Sequence, residues 1–264
     1  RLSVTPQLSI VGSTCLVLID LGRGACRLGG SALAQVCGQL GDESPDMHSA
    51  ADLKAFFVLI QELLARKTIL AYHDRSDGGL ITTLAEMAFA GHCGLEVDLS
   101  ELAGTPLQVL FNEEAGAVLQ IDSAKLESVC TRAAELGLGD CTHVIGTAQE
   151  GEGISISRGS ERMLSDSRVR LHKLWARTSY EIQSLRDNSD CADEEFARVG
   201  VADPGLSAHL TFDPTDNICA PYINIGVKPK IAVLREQGVN GHVEMAAAFH
   251  RAGFAPFDVH MSDI

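Results

Sequence analysis

The chain has 264 residues, 45% of them hydrophobic and 21% charged, with a formal net charge of −14. That length can bury one large core or two modest ones, and the composition is that of an ordinary globular protein. The acidic balance argues against nucleic acid as a partner, while backbone N–H groups at a helix N-terminus can still bind a small anion. No apolar run reaches the ~18 residues of a membrane span.

The N-terminus has no signal-peptide pattern and no initiating Met, so the chain is expected to be a piece of a longer one. Its eight cysteines are Cys15, Cys26, Cys37, Cys93, Cys130, Cys141, Cys191 and Cys219. None forms a C-x-x-C pair and several sit in apolar runs, which points to reduced thiols and a cytoplasmic location.

Cys15–Ile19 is a strand candidate, followed by a Gly-rich turn and a short helix over Ala32–Leu40 with Ser31 as its N-cap. Leu53, Phe56, Phe57, Ile60, Leu63 and Leu64 recur at helical spacing, which predicts an amphipathic helix over Ala51–Arg66. A strand over Thr68–Tyr72, a polar loop and a helix from Leu80 to Ala90, stopped by Gly91, come next. Leu95, Val97 and Leu99 alternate with Glu96 and Asp98 and mark a half-buried strand. Leu107–Phe111 and Ala117–Ile121 read as strands, and Ser123 as the cap of a helix carrying Leu126, Val129, Ala133 and Leu136. Strands at His143–Thr147 and Ile154–Ser157 complete an α/β or α+β unit.

Beyond Gly159, Arg168–Leu185 is a charged helical stretch with Trp175. An acidic patch (Asp187, Asp190, Asp193, Glu194, Glu195) leads into a Pro/Gly-punctuated segment, Gly200–Pro229. Leu206, Leu210, Phe212, Ile218 and Ile223 are expected to bury themselves along other surfaces there. Lys230–Arg235, Glu236–Gly241, His242–Ala252 and Phe257–Met261 read as strand, turn, helix and strand. The strands of such a β-α-β opening are normally parallel and buried on both faces. Two strands and one helix cannot cover themselves, so a truncated second α/β domain, loosely packed over 229–264, is expected.

His73-Asp74-Arg75-Ser76-Asp77-Gly78-Gly79 admits two readings. It is turn chemistry, with Ser76 or Asp77 capping the next helix and the glycines permitting an unusual backbone. Or it is an anion-binding corner, whose carboxylates need a Mg²⁺ between themselves and a phosphate. Leu28-Gly29-Gly30-Ser31 is a second, weaker phosphate corner. Glu113 and Glu114 would point to opposite faces of a strand, so at most one meets a site, and a solvated strand end is the alternative. The nine histidines form no metal-binding spacing. His92-Cys93 is better explained by a helix end than by a catalytic dyad. The loop Gln237–Gly241 lies at the carboxyl end of a strand, where α/β folds bind ligands, but supplies no nucleophile.

Four longer stretches carry a resemblance. Residues 13–40 (LVLIDLGRG, RLGGSALAQV), 71–94 (AYHDRSDGGLITTLAEMAFAGHCG), 110–116 (LFNEEAG) and 228–263 (KPKIAVLREQGVNGHVEMAAAFHRAGF, DVHMSD) resemble the large, single-chain formylglycinamide ribonucleotide amidotransferases, the phosphoribosylformylglycinamidine synthase family. The resemblance implies a monomeric carbon–nitrogen ligase of purine biosynthesis that uses ATP, Mg²⁺ and glutamine to convert formylglycinamide ribonucleotide into its amidine. It implies an α/β (α+β) subdomain related to the C-terminal part of aminoimidazole ribonucleotide synthetase. Residues 1–45 would be the tail of the second nucleotide-type subdomain and 46–160 the last α/β subdomain. A linker over 161–228 would then lead to the first β-α-β of a class I glutaminase domain at 229–264.

By the same resemblance Asp74 is a Mg²⁺ ligand and Ser76 a contact to ATP, or to a bound ADP. His73, Asp77, Gly78, Gly79, Gly29, Gly30 and Glu113 would be supporting residues. The remaining metal ligands and the glutaminase Cys, His and Glu would lie outside this chain, leaving a half-site that is inactive alone. Two alternatives stand beside it: a kinase-like relative of the same ATP-using superfamily, and a module that holds a nucleotide structurally without turnover.

Overall fold

The computed structural model describes residues 3–203, 205–218, 220–223 and 226–264. Cys219 and the side chain of Ile223, both named above, lie outside the described residues. The chain forms two compact units, divided after Asp203.

The first unit is built on one mixed sheet. Its strands are β1 (Thr14–Asp20), β2 (Ile69–Asp74), β3 (Gly94–Asp98), β4 (Gly116–Asp122), β5 (Thr142–Gln149), β6 (Gly153–Arg158) and β7 (Glu161–Ser167). They lie in the order β2-β4-β1-β5-β3-β6-β7, and β3–β6 is the parallel pair. Helices α1 (Ala32–Val36), α2 (Ala50–Ala65), α3 (Gly79–Gly91), α4 (Pro106–Phe111), α5 (Leu126–Glu135), α6 (Arg168–Arg186) and α7 (Ser189–Arg198) complete it.

Strand alternation divides the core in two. Leu16, Leu18, Ala71 and Val118 pack with Leu80, Leu84 and Met87 of α3 and Val109 of α4. Val17, Ile19, Ile69 and Leu119 pack with Leu59 and Leu63 of α2 and Val129 of α5. Both faces of the central strands are therefore covered, which explains why β1 is apolar along most of its length.

Several expectations need correction. Leu107–Phe111 is a helix, because Thr105 and Gln108 form a capping box around Pro106 at the first helical position. The helix expected over Ala32–Leu40 stops at Val36. Asp122, not Ser123, accepts the N–H of Ala124 at the start of the turn leading into α5. β7 and α7 were not anticipated.

β1 sits in the middle of the sheet between β4 and β5, β7 extends it beside β6, and α6 packs on α3 and α7.

The second unit holds a short helix, α8 (Ala220–Ile223), then β8 (Lys230–Arg235), α9 (His242–Arg251) and β9 (Ala255–His260). β8 and β9 pair in parallel, as the β-α-β pattern predicts. Burial on both faces does not follow: among the described residues of this unit only Val233 is buried. Leu206, Leu210, Phe212 and Ile218 are exposed rather than covered. One helix cannot shield two faces of a two-stranded sheet.

Candidate functional site

β2 ends in the polar loop and delivers its residues alternately to two sides. Asp74 is exposed, and its Oδ1 accepts a hydrogen bond from the Tyr72 hydroxyl. Burial, and then the neighbouring Asp74 carboxylate, raise the Tyr72 hydroxyl above its ordinary pKa, so Tyr72 stays protonated and orients Asp74 as a donor. Ser76 and Asp77 are exposed as well.

Neither Ser76 nor Asp77 caps α3: the N-cap is Gly78 at φ 83°, with no side-chain cap bond. The chain turns instead through the Gly79 N–H, which donates to the Ser76 carbonyl at 2.9 Å. Both glycines adopt positive φ, the backbone that their residue type permits.

Arg75, in the middle of the motif, is the residue that anchors it. It is only 5% exposed. Its Nη2 donates to Asp20 Oδ1 at 2.5 Å and to the Ala115 carbonyl at 3.2 Å, and its Nε donates to the Glu114 carbonyl at 2.6 Å. Asp20 also accepts the N–H groups of Gly22 and Gly24, each at 3.1 Å. One guanidinium thus joins the end of β1, the end of β2 and the entry to β4. Neither Arg75 nor Asp20 was singled out by the sequence, since a lone Arg in a polar run carries no burial signal.

His73 faces elsewhere. Its Nε2 lies 2.7 Å from Glu86 Oε2 on α3, and Glu86 Oε1 accepts the Trp175 indole N–H from α6 at 2.8 Å. It braces helices rather than joining Asp74.

Glu113 and Glu114 do diverge, but neither is a solvated strand end. They stand in the link between α4 and β4. Glu114 is 1% exposed and receives Arg27 Nε and Nη2, both at 2.7 Å, and the Arg27 N–H at 3.0 Å. Burial pushes its carboxyl up, but the Arg27 bonds and charge, with Arg75 beyond, outweigh this and hold it below the usual carboxylate range. Glu113 Oε1 accepts the N–H of Gly78 at 2.7 Å and that of Ala32, the first residue of α1, at 2.9 Å.

At the second glycine pair the backbone N–H groups are already engaged. Gly29 and Gly30 donate their N–H groups to the carbonyls of Glu43 and Leu40, at 2.6 and 2.7 Å. Ser31 does cap α1, as expected, accepting the Ala34 N–H.

A cleft of about 180 Å³ adjoins this end of the sheet, lined by Asp20, Arg23, Cys26, Arg75, Asn112 and His143 among others, but not by Asp74 or Ser76. Among the described residues, no three His, Cys, Asp or Glu side chains gather into a metal site. Among the described residues nothing donates to Asp74 Oδ2, only to Oδ1, and a carboxylate with an open oxygen suits an ion such as Mg²⁺ that takes one or two protein carboxylates and fills its shell with water and phosphate. No helix among the described residues is long and apolar enough to cross a membrane.

Two family models match the sequence. One, described as AIR synthase related protein, C-terminal domain, covers residues 15–158. The other, described as CobB/CobQ-like glutamine amidotransferase domain, covers residues 228–264.

Among solved structures, the chain is similar to Thermotoga maritima PurL complexed with FGAR, with TM-score 0.52, 13% identity, and coverage of 64% of this chain and 29% of that one. PurLQS from the same organism gives 0.51, 12%, 63% and 27%. PurL complexed with ATP gives 0.50, 14%, 63% and 27%. At such identities these likenesses show a shared fold, and the chain spans about a quarter of the length of those structures.

Proposed function

The chain belongs to the AIR synthase related protein family through that family's C-terminal domain, and on that premise we propose that it is part of an ATP- and glutamine-dependent ligase of purine biosynthesis. The reaction proposed is conversion of formylglycinamide ribonucleotide into formylglycinamidine ribonucleotide. One observation carries this. A domain of the AIR synthase type at 15–158 is followed, in the same chain, by a glutamine amidotransferase segment at 228–264. That order joins a part that spends ATP to a part that supplies ammonia. Structures of the shared fold hold ATP, ADP, AMPPCP or FGAR, which supports a nucleotide role for the loop.

In this proposal Asp74 would be a ligand of Mg²⁺, and the exposed Ser76 hydroxyl would contact the nucleotide. Mg²⁺, when bound, neutralises charge on the nucleotide phosphates. Tyr72 keeps the Asp74 carboxylate aimed, and the buried Arg75 fixes the strand end that carries both residues. The other metal ligands and the glutaminase Cys, His and Glu come from residues outside this chain. Alone, the chain therefore binds Mg-ATP weakly and does not hydrolyse glutamine.

The test is Asp74→Asn in the complete protein, read by Mg-ATP titration, turnover and thermal unfolding. Asp74 is exposed, so its stability cost is below about 0.5 kcal/mol. Affinity for Mg-ATP is expected to fall at least about tenfold, the loss of one charge-assisted interaction. Unchanged affinity would show that Asp74 is not a ligand. Weakened binding with turnover intact would point to a nucleotide held structurally.

A further inference from the structure

The two halves of the loop after β2 are held very differently. Arg75 pins the first half through Asp20 and the carbonyls of Glu114 and Ala115. The second half has exposed side chains at Ser76 and Asp77, and α3 begins without a side-chain cap. The carboxylate that reaches it comes from outside: Glu113 Oε1, 2.7 Å from the Gly78 N–H. The same oxygen takes the Ala32 N–H at 2.9 Å, so one carboxylate spans the two Gly-Gly turns of the first unit.

The local backbone is arranged to allow this reach. Gly79 has φ 72°, and a Cβ there would stand 2.6 Å from the Phe111 carbonyl carbon and 2.7 Å from the Asn112 carbonyl oxygen. The missing side chain lets the backbone just before Glu113 lie directly against the loop. Asn112 fixes the direction of that backbone. It is 2% exposed, and its Nδ2 donates to the carbonyl of Gln108 in α4 at 2.6 Å. Its Oδ1 accepts the Glu114 N–H at 3.4 Å. A rigid series runs from α4 through Asn112 and Glu113 to Gly78, two residues from Ser76 and four from Asp74.

We propose that Glu113 is a positioning residue for the nucleotide loop, setting where Asp74 and Ser76 stand; this rests on the nucleotide assignment of those two residues. Bonds from N–H groups to a carboxylate are the strong kind, and holding a loop in its bound form removes an ordering cost from binding.

The experiment uses the complete protein with Glu113→Ala, Glu113→Gln and Glu113→Asp, titrated with Mg-ATP and followed by amide exchange. Glu113→Ala is expected to weaken Mg-ATP about tenfold, the effect of two lost bonds to a charged group. It should also speed exchange at 76–79 while β4 keeps its protection. Glu113→Gln keeps an acceptor at the same reach and is expected to stay within about threefold of the parent. Glu113→Asp, one methylene too short, should behave like the Ala variant and serves if that variant fails to fold. Parent-like affinity and exchange in the Ala and Asp variants would overturn the proposal, as would equal losses in all three. Asp74→Asn separates the two ideas. If it leaves binding unchanged, the nucleotide assignment fails, and exchange at 76–79 still decides whether Glu113 holds the loop.

Discussion

In the first unit, six of the seven residues of β1 are buried, with Leu16 and Leu18 against α3 and α4 and Val17 and Ile19 against α2 and α5. In the second unit, β8 carries a similar apolar run, Ile231, Val233 and Leu234, yet only Val233 is buried. Both runs read alike as sequence. An apolar run becomes a buried strand only when helices cover both of its faces, and β8 and β9 have α9 between them and, among the described residues of their unit, no second helix of that length. Burial is thus a property of the surrounding layers as much as of the strand.

The largest expected effect tests what ties the covered sheet together. Arg75→Met leaves Asp20 buried without its cation and should cost about 3–5 kcal/mol in urea denaturation. A loss below about 1 kcal/mol would mean that the strand ends are held by other contacts.

A matched pair of leucines tests the comparison directly. Leu119→Ala, in fully buried β4, is expected to cost about 2–5 kcal/mol. Leu234→Ala, at a position 53% exposed, should cost less than about 0.5 kcal/mol. Similar costs would erase the distinction between the units. Amide exchange gives the same contrast without mutation: slow over 51–158 and fast over 229–264.

The smallest effect concerns how firmly the helical layer of the first unit sits. His172 stacks on Phe89 with ring centroids 4.4 Å apart, and its Nδ1 has no hydrogen-bond partner. Burial, then the charge of Arg168, then His92, lower its pKa. The unfolded chain therefore takes up this proton more readily than the folded one. The His172 contribution is present above the ordinary histidine value of about 6.5 and fades as pH falls through the lowered folded value. Thermal midpoints between about pH 7 and pH 5 should fall more for the parent than for His172→Gln. Parallel curves would rule this out.

Much of the first unit is legible from sequence because its periods are clean. Leu53 to Leu64 give α2, and the alternation around Leu95 and Val97 gives β3. α4 was legible too, through Thr105, Pro106 and Gln108, but its apolar residues imitate a strand. β7 hid because Glu161, Arg162, Ser165 and Asp166 leave little apolar pattern, as suits a sheet edge. α7 lies in an acidic run that reads as solvated coil, although Asn188 caps it through the N–H groups of Asp190 and Cys191.

The site divides along the same line. Asp74 and Ser76 stand out as polar residues at a strand end, with exposed side chains that neighbours in sequence explain. Arg75 escapes, and Glu113 is named without its contacts, because their partners are 55 and 35 positions away and no local pattern encodes a contact made by tertiary approach. Gly79 was the available hint: a glycine pair before a helix marks a close backbone approach, though not by which segment.

One further property follows from the brace between α3 and α6. The chain has a single tryptophan, Trp175, 57% exposed, with its indole N–H on Glu86 and its ring edge-on to Phe89 at 6.2 Å. An indole half in water and half against a helix shifts its emission when that helix moves. The molecule therefore carries its own fluorophore at the α3–α6 seam. Because Glu86 also bonds His73, the residue next to Asp74, this dye sits two hydrogen bonds from the loop.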